Sequence, residues 1–92
     1  MPKMIIQQEG VDVTKRFFLA LETLRSMRKI RGLQTFTRLY NLNKWNMVTL
    51  RDEPDGHILK TECLVFLVRD FGISAEWLLI GTGDMFAKSS DS

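Results

Sequence analysis

Apolar residues recur along this chain at three- and four-residue steps, the spacing that gathers them on one side of a helix. The first stripe is Val13, Phe17, Leu21, Leu24 and Met27, which predicts a long packing helix beginning near Asp12 as its N-cap. Arg28, Lys29 and Arg31 crowd its end and Gly32 follows, reading as a cationic last turn closed by a glycine C-cap. The stretch 33–52 then predicts two short helices. Leu33, Phe36 and Tyr40 share a face of the first, and Met47 and Leu50 a face of the second. Between them Asn41 can enter the left-handed region cheaply and turn the chain sharply. Asn43 is a good N-cap, and Leu42 before it is spaced as a hydrophobic staple with Met47.

Pro54 ends the second short helix, and Asp52-Glu53-Pro54-Asp55-Gly56 reads as a loop whose acids suggest either a solvated turn or a metal site. From Ile58 to Phe71 the run CLVFLV could by itself be a buried strand. A shared face of Leu59, Cys63, Phe66, Leu67 and Phe71, with Gly72 as C-cap, favours a fourth helix. Ser74 as N-cap, Glu76 in the first turn and an Ile73–Leu78 staple predict a short fifth helix closed by Gly81-Thr82-Gly83. Residues 1–11 lack a helical period and read as an extended segment or a frayed end; residues 87–92 are small and polar and predict disorder. The architecture expected is all-α: one domain over 1–92 with five helices between flexible or extended termini.

The stretch LQTFTRLYNLNKWNMVTLRD resembles the helix-turn-helix of the Cro and phage-repressor (XRE-type) family. Phe36, Tyr40, Leu42, Met47 and Leu50 fall at the family's buried positions, and ISAEWLLIGTGDMF resembles the close of phage-repressor DNA-binding domains. Asn41 stands where the family usually has glycine, and Thr37 where it usually has alanine. The resemblance spans about residues 12–86. It implies a lambda-repressor-like five-helix fold with the motif at helices two and three, and double-stranded DNA as partner.

Composition adds a charge asymmetry. The net charge is only +2, yet residues 1–48 carry nine Lys/Arg against three Asp/Glu, and residues 49–92 four against eight. Such a chain can turn one side to a polyanion, although solvated helix faces explain the same charges. The single Cys63, inside an apolar run, excludes a disulfide framework and reads as a buried inert thiol. His57 has no metal-ligand spacing with it, and no glycine-rich phosphate loop follows a strand, so neither catalysis, nor a cofactor, nor a metal is expected. The longest apolar run, Cys63 to Val68, is too short to span a membrane, and the first residues lack a signal-peptide core, so a cytoplasmic location is expected.

Function is then expected to be sequence-specific duplex binding by a small transcriptional regulator, with a protein-interaction or antitoxin-like module on the same fold as the alternative. The buried set of the second motif helix leaves Lys44, Trp45, Val48 and Thr49 facing outward. Lys44 can donate to guanine, Thr49 can bond a base or touch a thymine methyl, and Asn46 can bond adenine if it turns outward. Trp45 lies off the buried stripe at a position that reaches DNA in the family it resembles; its alternative is a place in the core. Arg31, Gln34, Thr35, Arg38 and Asn43 are the expected phosphate contacts, against helix capping or plain helix surface. A homodimer on half-sites is expected through Trp77, Ile80, Met85 and Phe86, with Ile5 and Ile6 as possible additions; the alternative is that Trp77 and Phe86 cover the open end of the bundle.

Overall fold

A computed structural model describes residues 7–87. Five helices follow one another: α1 (Gln8–Ser26), α2 (Leu33–Leu39), α3 (Lys44–Asp52), α4 (Thr61–Phe71) and α5 (Ala75–Ile80). Among the described residues there is no strand, only an isolated antiparallel bridge between Ile73 and Phe86. The run CLVFLV is therefore helical. Helix α1 lies against α3 and α5, α2 against α3, and α4 against α5. Phe17, Leu24, Phe36, Leu67, Ile73 and Leu78 form a fully buried centre, with Met47 and Cys63 closing it.

The first helix differs from its sequence pattern at both ends. It begins at Gln8, with Gln7 as N-cap, so residues 8–11 are helical rather than a flexible terminus; Ile5 and Ile6 lie outside the described residues. Asp12 is inside the helix, not its cap, and its carboxylate accepts a hydrogen bond of 2.8 Å from Gln8 Nε2. The buried stripe is Val11, Thr14, Phe17, Ala20, Leu21 and Leu24. Thr14 can join it because its hydroxyl is satisfied by the Gly10 carbonyl at 3.1 Å. Val13 is only half-buried, and Met27 sits beyond the last turn, 48% exposed.

Gly32 does not cap this helix. The chain leaves α1 through a Schellman turn in which Lys29 N–H reaches the Leu24 carbonyl (2.9 Å) and Arg28 N–H the Arg25 carbonyl (3.0 Å), with Arg28 itself at φ 63°. Gly32 stands in extended backbone four residues later and heads α2. An arginine in the left-handed region is strained by its Cβ, so Arg28→Gly is expected to raise stability by about 0.5 to 1 kcal/mol after the entropy cost of glycine. Urea unfolding of the two proteins checks this; a loss of stability would mean that the Arg28 side chain contributes more than its backbone costs.

The fourth helix starts at Thr61, three residues later than its apolar pattern suggests, because Ile58 is 66% exposed and Lys60 is already the N-cap. The other punctuation is as expected. Gly72 and Gly81 end α4 and α5 at φ 73° and 90°, and the Ser74 hydroxyl accepts from Trp77 N–H at 3.2 Å. Beyond α5 the chain folds back: Ser74 N–H donates to the Met85 carbonyl and Ala87 N–H to that of Gly72, both at 2.8 Å. Ala87 is thus held in place, while residues 88–92 lie outside the described range.

A long-range tie completes the frame. Arg16, half-buried on α1, donates from Nε to the Leu78 carbonyl (2.9 Å) and from Nη2 to that of Leu79 (3.0 Å). These are orphan acceptors at the C-terminal end of α5, where a cation also meets the negative end of the helix dipole.

Candidate nucleic-acid interface

The turn between α2 and α3 is built by backbone bonds that leave little freedom. Leu42 N–H donates to the Thr37 carbonyl (2.7 Å) and Asn41 N–H to that of Arg38 (3.4 Å), with Asn41 at φ 55°. Asn41 thus takes the left-handed position its sequence suggested. Asn43 Oδ1 accepts from Asn46 N–H at 3.0 Å and so caps α3. Leu42 packs half-buried on the core cluster that contains Met47. Thr37 is buried, and its hydroxyl donates to the Gln34 carbonyl at 3.0 Å, so the polar atom costs nothing unpaired.

A second brace reaches the turn from α4. The Tyr40 ring stacks on Phe66 with centroids 3.9 Å apart and planes within 2°. Its hydroxyl donates to Asp70 Oδ2 at 2.5 Å, and Arg69 pairs with the same carboxylate. Burial, then the bond to Asp70, pushes the Tyr40 hydroxyl up to about 12. The bonds from Arg69 and Tyr40 hold Asp70 at about 2. A carboxylate whose pKa falls on folding stabilises the fold above its ordinary value and loses that contribution as it protonates. Acid destabilisation as pH falls from about 4 toward 2 is therefore expected to be shallower in Tyr40→Phe than in the parent, which thermal melts across that range would show.

On α3, Met47 and Leu50 point into the core and Lys44, Trp45, Asn46 and Thr49 are exposed. Val48 is half-buried rather than fully outward. Trp45 is 74% exposed, which removes its alternative as a core residue. The Thr49 hydroxyl donates back to the Trp45 carbonyl at 2.9 Å, leaving its oxygen lone pairs and its methyl group for an outside partner.

Among the expected phosphate contacts, Arg31, Gln34, Arg38 and Asn43 are exposed. Thr35 is half-buried, and its hydroxyl accepts Arg31 N–H at 3.2 Å, which locks the entry to α2. The charge pattern is sharper than a comparison of halves reveals. Between Glu22 and Asp52 the chain carries seven Lys/Arg and no Asp/Glu. Arg25 pairs with Glu22 and Arg51 with Asp52 at the two edges of that stretch. Arg28, Lys29, Arg31, Arg38 and Lys44 have no carboxylate partner among the described residues.

The two flanks of α3 differ. Arg51 borders a small hollow shared with Phe18, Leu21, Gly32 and Leu33, so that flank looks toward α1 and the start of α2. Asn43, Asn46 and Thr49 instead form one wall of a groove of about 470 Å³, whose far wall is the α3–α4 loop with His57, Ile58, Leu59 and Lys60. Sequence reasoning did not place this loop beside the motif. Cys63 lies at the floor of the groove, buried, and burial followed by the charge of Glu62 pushes its thiol up to about 11, which leaves it inert near neutral pH. Among the described residues no three His, Cys, Asp or Glu side chains gather to hold a metal.

The expected dimer residues separate. Trp77, Met85 and Phe86 are half-buried on the protein's own core, and Phe86 bridges to Ile73, so they cover the end of the bundle. The tail buries more apolar surface than its length suggested because it doubles back along the link between α4 and α5. Only Ile80, at 69%, is largely exposed, with Leu79 beside it at 48%. No helix among the described residues is long and apolar enough to cross a membrane. Comparison with protein-family models, with curated proteins and with solved structures returned no match, so the face on α3 has to be read from its own chemistry.

Proposed function

We propose that this protein binds double-stranded DNA sequence-specifically, by laying α3 in the major groove as a small regulator of the Cro and phage-repressor kind. The observation that carries the reading is the bare face of α3: Lys44, Trp45, Asn46 and Thr49 stand exposed together, on a short helix fixed by a capped turn, within an acid-free stretch of chain. A tryptophan left in water on a rigid, cationic helix is suited to a partner that offers apolar edges and acceptors beside negative charge. The major groove offers guanine N7 and O6, thymine methyls and flanking phosphates. RNA fits less well, because the major groove of its duplex is too narrow for a helix.

Lys44→Ala and Thr49→Ala are expected to weaken binding to the preferred duplex by about 1 to 3 kcal/mol with little change in melting temperature, since both side chains are exposed. Arg31→Ala and Arg38→Ala should instead weaken binding to every duplex and lower the salt slope by about one each. Titrations of the four variants at several salt concentrations test both claims together; parent-like binding by Lys44→Ala and Thr49→Ala would remove α3 as the reading helix.

The competing reading is a protein-interaction module. It draws on an apolar groove between α4 and α5 lined by Leu64, Val65, Val68, Ala75, Leu78 and Leu79. Of the residues of the homodimer expectation Ile80 is the one largely exposed, and its neighbour Leu79 lines that groove. An affinity for duplex DNA that collapses with added salt separates the readings, because a partner bound in the apolar groove releases no counterions.

A further inference from the structure

Away from α3, four elements meet around an apolar hollow of about 220 Å³: Gly10 and Val13 of α1, Ile58 and Leu59 of the α3–α4 loop, Leu64 of α4 and Leu79 of α5. Ile58 and Leu79 are exposed there, although both are large aliphatic side chains. Leu64 and Leu79 also line the groove between α4 and α5, so the two hollows form one trough that runs from the first turn of α1 to Val65 and Val68. A continuous apolar surface of this kind calls for a cover.

The chain itself supplies an apolar segment at the mouth of the trough. Gln7 caps α1 in extended backbone, φ −60° and ψ 148°, so the residues before it leave the helix axis instead of prolonging it. Those residues include Met4, Ile5 and Ile6. Ile6 directly precedes the N-cap and Val11 is the fourth residue of the helix, which is the spacing of a hydrophobic staple that sets the angle of entry. Val11 is 5% exposed yet stands outside the cluster of side chains that forms the core, as a residue covered from the entering chain would. Three residues in extended form span about 10 Å, enough to pass from Gln7 over Gly10 into the hollow. The other end of the chain offers no rival, because Lys88 to Ser92 hold no apolar side chain.

We propose that the segment Met4–Ile6 docks in this trough of its own chain, with Ile6 stapled on Val11 and Ile5 and Met4 laid over Ile58, Leu64 and Leu79. Seated there, the segment closes the near end of the α4–α5 groove, so a partner entering that groove has to displace it at Leu64 and Leu79. The proposal stands apart from the reading of α3 and holds whether or not the protein binds DNA.

Nuclear Overhauser spectra of the full chain, labelled with carbon-13, test it without any substitution. Cross-peaks are expected from the Ile5 methyls to those of Leu64 and Leu79 and from Ile6 to Val11, unchanged on tenfold dilution and absent from isotope-filtered spectra of mixed labelled and unlabelled chains. Cross-peaks that appear in the filtered spectra would make a second copy the occupant, and no cross-peak from Ile5 to the trough would leave it bare; either result overturns the proposal. Ile5→Ser should in addition lower the melting temperature by about 4 to 8 °C. In a Leu79→Ser background the same substitution should lower it by less, because the two side chains share one contact. An equal fall in both backgrounds, or no fall in either, would contradict the docking.

Discussion

Phe36→Ala is expected to come close to unfolding this protein. The Phe36 ring is fully buried where α1, α2 and α4 meet, with Phe17 edge-on at 5.6 Å, Tyr40 at 5.0 Å, and Phe66 and Phe71 each at 6.4 Å. Deleting such a ring costs about 3 to 5 kcal/mol, because the transfer energy is lost and the neighbours cannot collapse fully into the space. A chain of this size has roughly 5 to 14 kcal/mol in all. The melting temperature should fall by about 15 °C or more, if a transition survives. Trp45→Ala removes a larger ring and should move stability by less than about 0.5 kcal/mol, since that ring touches mainly water. Equal losses in the two variants would contradict the division between core and bare face on which the functional reading depends.

The second large effect is expected at the junction of α1 and α5. Arg16→Met keeps much of the side chain's bulk but leaves the Leu78 and Leu79 carbonyls without their charged donor, at a cost of about 2 to 3 kcal/mol. Gly81→Ala attacks the same place from the other side. Its φ of 90° strains any residue with a Cβ, and that Cβ would lie 3.0 Å from Arg16 Nη1. The guanidinium cannot move away without stretching its two bonds, so the substitution should cost about 1 to 2 kcal/mol for the backbone and part of the Arg16 contribution besides. The two effects therefore overlap: in the Arg16→Met background Gly81→Ala should cost only its backbone strain. Urea unfolding of both single variants and the double variant measures this, and strict additivity would show that Arg16 and Gly81 do not interact.

What the sequence revealed and what it hid divide along physical lines. Signals carried within a few residues were legible: Asn41 in the left-handed turn, Asn43 and Ser74 as N-caps, Gly72 and Gly81 as helix ends, and the stripes of α2 to α5. The end of α1 was not, because a Schellman turn closed by arginine carries no compositional mark while Gly32 nearby imitates one. The start of α1 was obscured by Gly10 and by Thr14, a polar residue in a buried stripe. Contacts between distant residues were invisible to periodicity: Arg16 reaches over sixty positions to α5, and Tyr40 thirty to Asp70. The candidate face itself was largely legible, since Met47 and Leu50 at core spacing imply what is left outside. Its second flank was not, because only the folded chain brings Lys60 and His57 beside Asn46 and Thr49. Trp77, Met85 and Phe86 were read as surplus apolar surface because the tail's return onto Gly72, Ile73 and Ser74, which packs them partly on the core, is a tertiary event.

The most direct test of DNA recognition is a titration of the duplex enriched from a random library, beside a scrambled duplex of equal composition, from about 50 to 200 mM salt. The account predicts a common sequence in the enriched pool, affinity for it at least about 10³-fold above the scrambled duplex, and a steep linear fall of log affinity with log salt for both. Failure to enrich any sequence, with affinity weak and indifferent to salt, would contradict it.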